Sequence, residues 1–204
     1  MLVERPSDEV AGRRERYRRE TMREIRERTM HQLETQGAGA VSLNAVAREM
    51  GMTGPALYRY YPSRDAVLTD LIVETYEELS KAIEGAVIGA ADPRSAIRAL
   101  ARAYRSWARE HPTRYQLLFG TPVPGYVDDS MRTTPPAQHT LNVVIEALSR
   151  FGAGPQEDLV WAAVEGWSRL HGFVSLELGG HLGPIGIDID SAYERVVEGL
   201  IAGE

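Results

Sequence analysis

The segment covering residues 42–68 most constrains the fold, because it predicts two helices joined by a tight turn. Ser42 is a good N-cap for the first helix. Gly51 follows that helix, where a left-handed backbone conformation favours glycine. Thr53 can cap the second helix, and Pro55 falls in its first turn, where a missing N–H costs nothing. Two helices crossing at such a turn can present one of them to the major groove of DNA.

The outer face of the second helix is aromatic and basic. Leu57 should point inward, which leaves the following Tyr58-Arg59-Tyr60 for other surfaces. The break at Pro62-Ser63 ends this helix. Arg64 then stands at the start of a third helix, where the helix dipole disfavours a cation but a phosphate is within reach. Alanine followed four residues later by glycine, with apolar residues on either side, also occurs in ordinary pairs of helices. Such a pair gains nothing from an exposed surface of tyrosines and arginines, so DNA binding is the favoured hypothesis.

Four stretches carry a family resemblance, namely Val41-Ser42-Leu43, Val46-Ala47, Gly51-Met52 and Pro55-Ala56-Leu57-Tyr58-Arg59-Tyr60-Tyr61-Pro62-Ser63-Arg64-Asp65-Ala66-Val67-Leu68. They resemble the DNA-binding domain of TetR-family transcriptional regulators, and the resemblance is dense over about residues 20–70. It implies that Tyr58 and Arg64 mainly bind phosphates. Gly54 departs from the family, whose members often carry a longer, base-reading side chain there, so Asn44, Arg59 or the N-terminal arm should carry more of the specificity. The predicted DNA-contacting residues are Ser42, Asn44, Thr53, Gly54, Pro55, Tyr58, Arg59, Tyr60 and Arg64.

The net charge of −6 is unevenly distributed along the chain. Residues 1–65 hold 12 arginines and 10 acidic residues, a net charge of +2, whereas residues 66–204 hold 11 basic and 19 acidic residues, a net charge of −8. An acidic C-terminal part repels DNA, so the N-terminal part is the one that can dock on it. Residues 13–19 are locally basic, and they form either an arm that reaches DNA phosphates or the solvated start of the first helix.

Beyond residue 63 the apolar residues recur at helical spacing, without strand alternation. Residues 120–136 are rich in glycine and proline and predict a long loop. The predicted fold class is all-α, with an N-terminal three-helix domain that contains the helix-turn-helix and a C-terminal helical domain for effector binding and dimerisation. The predicted division is a disordered tail over residues 1–12, a DNA-binding domain over 13–65 and the effector domain over 66–204.

Two late helices, predicted over residues 155–178 and 191–201, carry apolar or small-residue faces. Such faces suit packing against a second copy of the chain, although they could equally complete the core of a monomer. A homodimer is favoured because a single short helix-turn-helix contacts too few bases to select a genomic site. The twofold axis would place two recognition helices on the half-sites of a palindromic operator in double-stranded DNA. Residues 166–178 also resemble the Trp-His-Gly type of C-terminal domain found in one TetR subgroup.

A regulator needs an input, and the C-terminal part offers side chains with apolar bodies and polar tips. The predicted effector pocket is lined by Tyr104, Trp107, Tyr115, Phe119, His139, Trp161, Trp167 and His171. Such a lining suits a small, mostly apolar ligand held by a few hydrogen bonds. Taken singly, each of these residues is more often plain core. The family resemblance implies that an effector cavity lies somewhere in this domain.

Other classes of function lack their motifs. The chain has no cysteine, no glycine-rich phosphate loop, no Gly-x-Ser-x-Gly and no His-Glu-x-x-His, so we expect no enzyme activity, no cofactor and no metal site. No apolar run is long enough to span a membrane, and the N-terminus is unlike a signal peptide, which predicts a cytoplasmic protein. The predicted function is a homodimeric transcriptional repressor that a small effector releases from DNA. The alternative is a helical small-molecule carrier or sensor without specific DNA binding.

Overall fold

The structure is a computed structural model that describes residues 6–120, 123–149 and 156–202. These residues form two compact units, each with a core of its own. The N-terminal unit comprises the described residues up to Ile72 together with those from 123 to Ser130, and the C-terminal unit comprises the rest. In the described ranges the regular elements are helical throughout, which confirms the all-α prediction. The α-helices are α1 Pro6–Gln36, α2 Leu43–Glu49, α3 Gly54–Tyr58, α4 Arg64–Val87, α5 Pro93–Glu110, α6 Pro112–Phe119, α7 Ser130–Ser149, α8 Gln156–Leu178 and α9 Ile189–Ala202.

Two predicted boundaries along the chain, after residue 12 and after residue 65, fall inside helices. The backbone is helical from Pro6, a residue type that suits the first turn of a helix, so α1 includes residues 6–12 of the predicted disordered tail. Residues 1–5 of that tail lie outside the described residues. The predicted division between residues 65 and 66 falls inside α4, whereas the chain passes from one compact unit to the other after Ile72. The domain division itself stays a prediction.

The N-terminal unit is held together by apolar side chains from α1, α2, α3 and the first half of α4. Those that are at most 3% exposed include Ile25, Met30, Val46, Ala47, Leu57, Val67, Leu68 and Leu71. The predicted inward position of Leu57 is confirmed, since none of its surface is exposed. Burying one such side chain contributes roughly 1.5–3 kcal/mol, so a few of them suffice to fix the short helices α2 and α3, which could not persist alone.

A buried tyrosine hydroxyl links α1 to α4 inside this core. Tyr61 is 2% exposed. Its Oη accepts a hydrogen bond from Arg26 Nη1 at 2.8 Å and donates one to Asp70 Oδ2 at 2.6 Å. Arg26 and Asp70 also lie 3.9 Å apart as an ion pair. Burial, followed by the hydrogen bond to Asp70, raises the pKa of Tyr61 above its ordinary value, so the hydroxyl stays protonated and can donate.

The C-terminal unit packs α5 against α6, α8 and α9. Its most buried members are Leu79, Ala101, Tyr104, Trp107, Ala108, Tyr115, Leu170, Val174, Tyr193 and Val197. One charged side chain enters this region. The Arg105 guanidinium forms a bidentate pair with Glu177 at 2.8 Å, donates to Asp190 at 2.7 Å and lies 4.7 Å from the centre of the Tyr193 ring. Because Arg105 lies on α5, Glu177 on α8, and Asp190 and Tyr193 on α9, this network fixes the mutual positions of the three helices.

The predicted loop over residues 120–136 is wrong in its second half. Helix α7 begins at Ser130 and contains both Pro135 and Pro136. The two prolines remove backbone donors only near the N-terminal end of a 20-residue helix. Contacts made further along offset that loss, among them the 2.7 Å hydrogen bond between the Thr140 and Ser80 hydroxyls.

Candidate nucleic-acid interface

The turn between α2 and α3 is built by the predicted capping residues. Ser42 Oγ accepts a hydrogen bond from the Ala45 amide at 3.4 Å, and Thr53 Oγ1 accepts one from the Ala56 amide at the same distance. Gly51 has φ 66°, a conformation that a side chain would strain. The predicted caps and the glycine turn are therefore confirmed, and they set the direction in which α3 leaves the turn.

Helix α3 buries one side and exposes the other. Leu57 faces the core, while Pro55, Tyr58 and the two residues that cap the helix, Thr53 and Arg59, are exposed, with 44% of Tyr58 accessible. Since α3 has only five residues, its exposed face is a compact patch. This patch carries hydroxyl and guanidinium donors, the groups that bind phosphates and base edges.

Gly54 and Asn44 occupy one small space between α3 and α2. A Cβ atom added at Gly54 would lie 2.9 Å from Asn44 Oδ1, closer than real Cβ contacts. The exposed Asn44 amide therefore stands where a side chain from position 54 would otherwise project. This geometry favours the prediction that Asn44 replaces the missing side chain of Gly54 as a reader of bases.

Arg64 is held by a turn far away in the sequence, which the sequence did not predict. Its Nη2 donates to the Pro124 carbonyl at 2.6 Å, and its Nε lies 3.7 Å from Asp65 Oδ1. Asp65 in turn accepts a hydrogen bond from the Val127 amide at 3.3 Å. Gly125, with φ 72°, allows the chain to turn back here. The predicted phosphate-binding arginine is thus oriented by a backbone carbonyl and remains about one-quarter exposed, with 28% of its side chain accessible.

Tyr126 anchors the same turn to α4. Its hydroxyl lies 3.1 Å from Thr69 Oγ1, and Thr69 is 2% exposed. Burial raises the pKa of Tyr126 above its ordinary value, so the hydroxyl stays protonated. The turn at residues 123–127 is consequently part of the framework that positions the start of α4.

In the C-terminal unit, most of the predicted effector-pocket residues meet in an aromatic cluster. The members that touch ring to ring are Tyr104, Tyr115, Phe119, Trp167 and His171. Trp107 belongs to the same buried core. Two polar groups converge on one atom, since Tyr115 Oη lies 2.7 Å and Tyr104 Oη 3.4 Å from His171 Nδ1. Burial lowers the pKa of His171 below its ordinary value, so a neutral ring that accepts hydrogen bonds is favoured.

Two predicted pocket residues do not join this cluster. Trp161 is 67% exposed. It precedes Trp167 by six residues, and six steps of about 100° place the two side chains about 120° apart around α8. His139 lies on α7, where 61% of its side chain is accessible and its Nε2 contacts Glu84 at 3.1 Å. Whether any of the eight residues binds an effector stays a prediction.

The described residues contain neither a cluster of metal ligands nor a helix that could span a membrane. No group of three or more His, Asp or Glu side chains there could hold a metal ion. No helix within the described ranges is long and apolar enough to cross a bilayer.

The fold and the exposed α3 define the class of protein, a helix-turn-helix protein with an all-helical C-terminal unit. Residues 25–71 match the family of bacterial regulatory proteins called the tetR family. Residues 97–200 match the tetracyclin repressor-like C-terminal domain. The chain belongs to the TetR family, as the resemblance indicated. The finer resemblance to the Trp-His-Gly type stays a prediction.

Similar proteins carry the names of regulators. The HTH-type transcriptional regulator Rv1816 of Mycobacterium tuberculosis is 39% identical over 140 residues, which cover 68% of this chain and 60% of that protein. An uncharacterized HTH-type transcriptional regulator of the same species, Rv0681, is 32% identical over 84% of this chain and 75% of its own length. The crystal structure of a regulatory protein, SCO4313, is 37% identical, covers 92% of this chain and 98% of that chain, and superimposes with a TM-score of 0.82. In the comparison with Rv1816, the chain spans less than two thirds of that protein's length, namely 60%.

Proposed function

We propose that this chain is a DNA-binding transcriptional regulator that docks α3 in the major groove. The observation that carries the proposal is the exposed patch of α3, formed by Thr53, Pro55, Tyr58 and Arg59 on a helix whose opposite side is anchored by the fully buried Leu57. A short helix offered in this way on a rigid support is the geometry of helix-turn-helix readers. We further propose a cytoplasmic location, as DNA binding in a bacterial cell requires.

Selection of bound duplexes from a randomised DNA pool tests this function directly. We expect enrichment of a palindrome. In the operator so obtained, Tyr58→Ala should weaken binding to all sequences about equally, as expected for a phosphate contact, whereas Asn44→Ala or Arg59→Ala should change the preferred base. If well-folded protein enriches no sequence at moderate salt, the proposal fails and a carrier without specific DNA binding becomes the better explanation.

The protein acts, in our proposal, as a homodimer whose α8 and α9 pack against the same helices of a second copy. Support comes from the exposed side of α8, which includes Trp161 and Leu176, with 67% and 48% exposed, beside the small residues Ser168 and Ser175. Large apolar side chains left in contact with water on a helix that also offers small residues favour close helix packing.

A single substitution can test the dimer without disturbing the monomer. A Cβ atom added at Gly172 would meet nothing within 4 Å, so Gly172→Arg should fold normally yet block a partner helix. Gly85 on α4 is equally open, which makes Gly85→Arg the matched control. Light scattering at micromolar concentration should find dimers for the original chain and the control, and monomers for Gly172→Arg. A monomeric original chain would contradict the proposal.

The input signal, we propose, is a small and mostly apolar effector that relieves repression. The aromatic cluster around His171 supports this, because it offers flat apolar faces and converging hydroxyl groups in one place. An effector can release DNA only if it binds more tightly to a conformation that no longer fits the operator. A ligand that binds this unit without changing the operator Kd would contradict that role for it.

A further inference from the structure

The arginines of α1 fall into two groups with different surroundings. In the second group, beginning at residue 23, every arginine has a carboxylate close by. Arg23 bonds to Glu20 and Glu27, Arg26 lies 3.9 Å from Asp70, and Arg28 lies 2.8 Å from Glu24. The charge of these residues is therefore compensated within the fold.

Arg13, Arg14 and Arg18, in the first group, have no such carboxylate partner among the side chains that the structure describes. All three are exposed. Arg14 and Arg18 are four residues apart on one face of α1, an arrangement that like charges disfavour. Their positive field is thus directed to the solvent, where a polyanion could neutralise it.

These three arginines line a groove beside α3. The groove has a volume of about 870 Å³, and its walls are formed by Arg13, Arg14, Tyr17, Arg18, Met52, Ala56, Arg59 and Tyr60. Arg18 joins the two walls, because its Nη1 donates to the Arg59 carbonyl at 3.4 Å and its guanidinium lies 5.5 Å from the centre of the Tyr60 ring. The position of the basic stretch of α1 relative to α3 is therefore fixed by direct contacts.

We infer that this groove binds the sugar-phosphate backbone of DNA that flanks the bases read by α3, which rests on the proposed function above. Guanidinium groups stay positively charged, and their planar arrangement of N–H donors can bind two phosphate oxygens at once. Arg59 belongs both to the exposed patch of α3 and to the groove, so a strand that leaves α3 passes directly to Arg13 and Arg14. The basic stretch of α1 acts as a helical extension of the DNA-binding surface.

The salt dependence of operator binding separates this contact from a general charge effect. Each phosphate contact contributes about 0.9 to the slope of log K against log salt concentration. The double variant Arg13→Gln/Arg14→Gln should reduce the steepness of that slope by about 1.8 for each protomer, or about 3.6 for the proposed dimer, with the preferred sequence unchanged. The matched control, Arg23→Gln/Arg28→Gln, removes the same charge from compensated sites and should change the slope by less than half as much.

The length of the DNA gives a second readout that does not depend on overall charge. Shortening the operator at both flanks should weaken binding of the original chain but not of Arg13→Gln/Arg14→Gln, because the variant no longer uses the flanks. Circular dichroism melting curves verify that both double variants are folded. Equal slopes for the two double variants, or equal sensitivity to shortening, would overturn the groove contact while leaving the function of α3 intact. Failure of the original chain to bind any duplex would overturn both.

Discussion

Replacing Tyr61 by Phe removes a single buried oxygen and tests the link between α1 and α4. The hydroxyl bonds to Arg26 at 2.8 Å and to Asp70 at 2.6 Å, and only 17% and 16% of those two side chains are accessible. Hydrogen bonds to charged groups contribute roughly 1.5–3 kcal/mol each. Because Arg26 and Asp70 keep their mutual attraction at 3.9 Å, we expect a total loss of about 2–3 kcal/mol, less than two separate bonds would give.

Urea unfolding followed by circular dichroism measures this loss, and hydrogen exchange in α1 and α4 localises it to the N-terminal unit. Tyr58→Phe is the matched control, since Tyr58 is 44% exposed and lies on the surface of α3. Its effect on the free energy of unfolding should stay within about 0.5 kcal/mol. If Tyr61→Phe costs no more than Tyr58→Phe, the hydroxyl does not link the two helices and the reasoning is refuted.

Three further changes test other contacts of the structure. Gly54→Ala places a Cβ atom 2.9 Å from Asn44 Oδ1. Selection of duplexes with this variant should therefore show a changed preference at the same base pair that Asn44→Ala affects. A change at a different base pair would contradict the idea that residues 44 and 54 face the same base. Tyr126→Phe removes the hydroxyl 3.1 Å from Thr69, and should lower stability by about 1 kcal/mol and weaken operator binding without changing the preferred sequence, as unfolding and binding curves can show. The pKa of His171 is lowered by burial, so below about pH 6.5 the unfolded chain takes up a proton at this residue that the folded chain does not. On acidification to about pH 5.5, the free energy of unfolding should therefore fall more for the original chain than for His171→Gln.

Local patterns in the sequence carried most of the fold and part of the site. Ser42 and Thr53 were predictable as caps because each bonds to an amide three residues ahead. Gly51 was predictable because its backbone conformation, φ 66°, follows directly from the end of a helix. Such interactions depend on near neighbours in the sequence, so a motif is enough to locate them.

Contacts between distant residues could not be predicted in the same way. The hydrogen bond from Arg64 to the Pro124 carbonyl spans 60 residues, and the one between Thr69 and Tyr126 spans 57. Proline and glycine predicted a loop over residues 120–136, and residues 123–129 are indeed non-helical, but the pattern gave no indication of what this segment would pack against. Pro135 and Pro136 led to the prediction of a loop where the structure has a helix, because contacts elsewhere along α7 outweigh the local preference of proline.

The charge of the N-terminal region illustrates why composition alone understates a DNA-binding surface. A net charge of +2 over residues 1–65 is modest, but it averages two populations of arginine. Arg23 and Arg28 form ion pairs with neighbouring carboxylates, whereas Arg13 and Arg14 face the solvent beside α3. At physiological salt, charges are screened within about 8 Å, so a phosphate responds to the arginines next to it and hardly to the distant acidic residues. In our proposal, the number of such solvent-facing arginines near α3, rather than the net charge of the chain, therefore sets how strongly this surface attracts DNA.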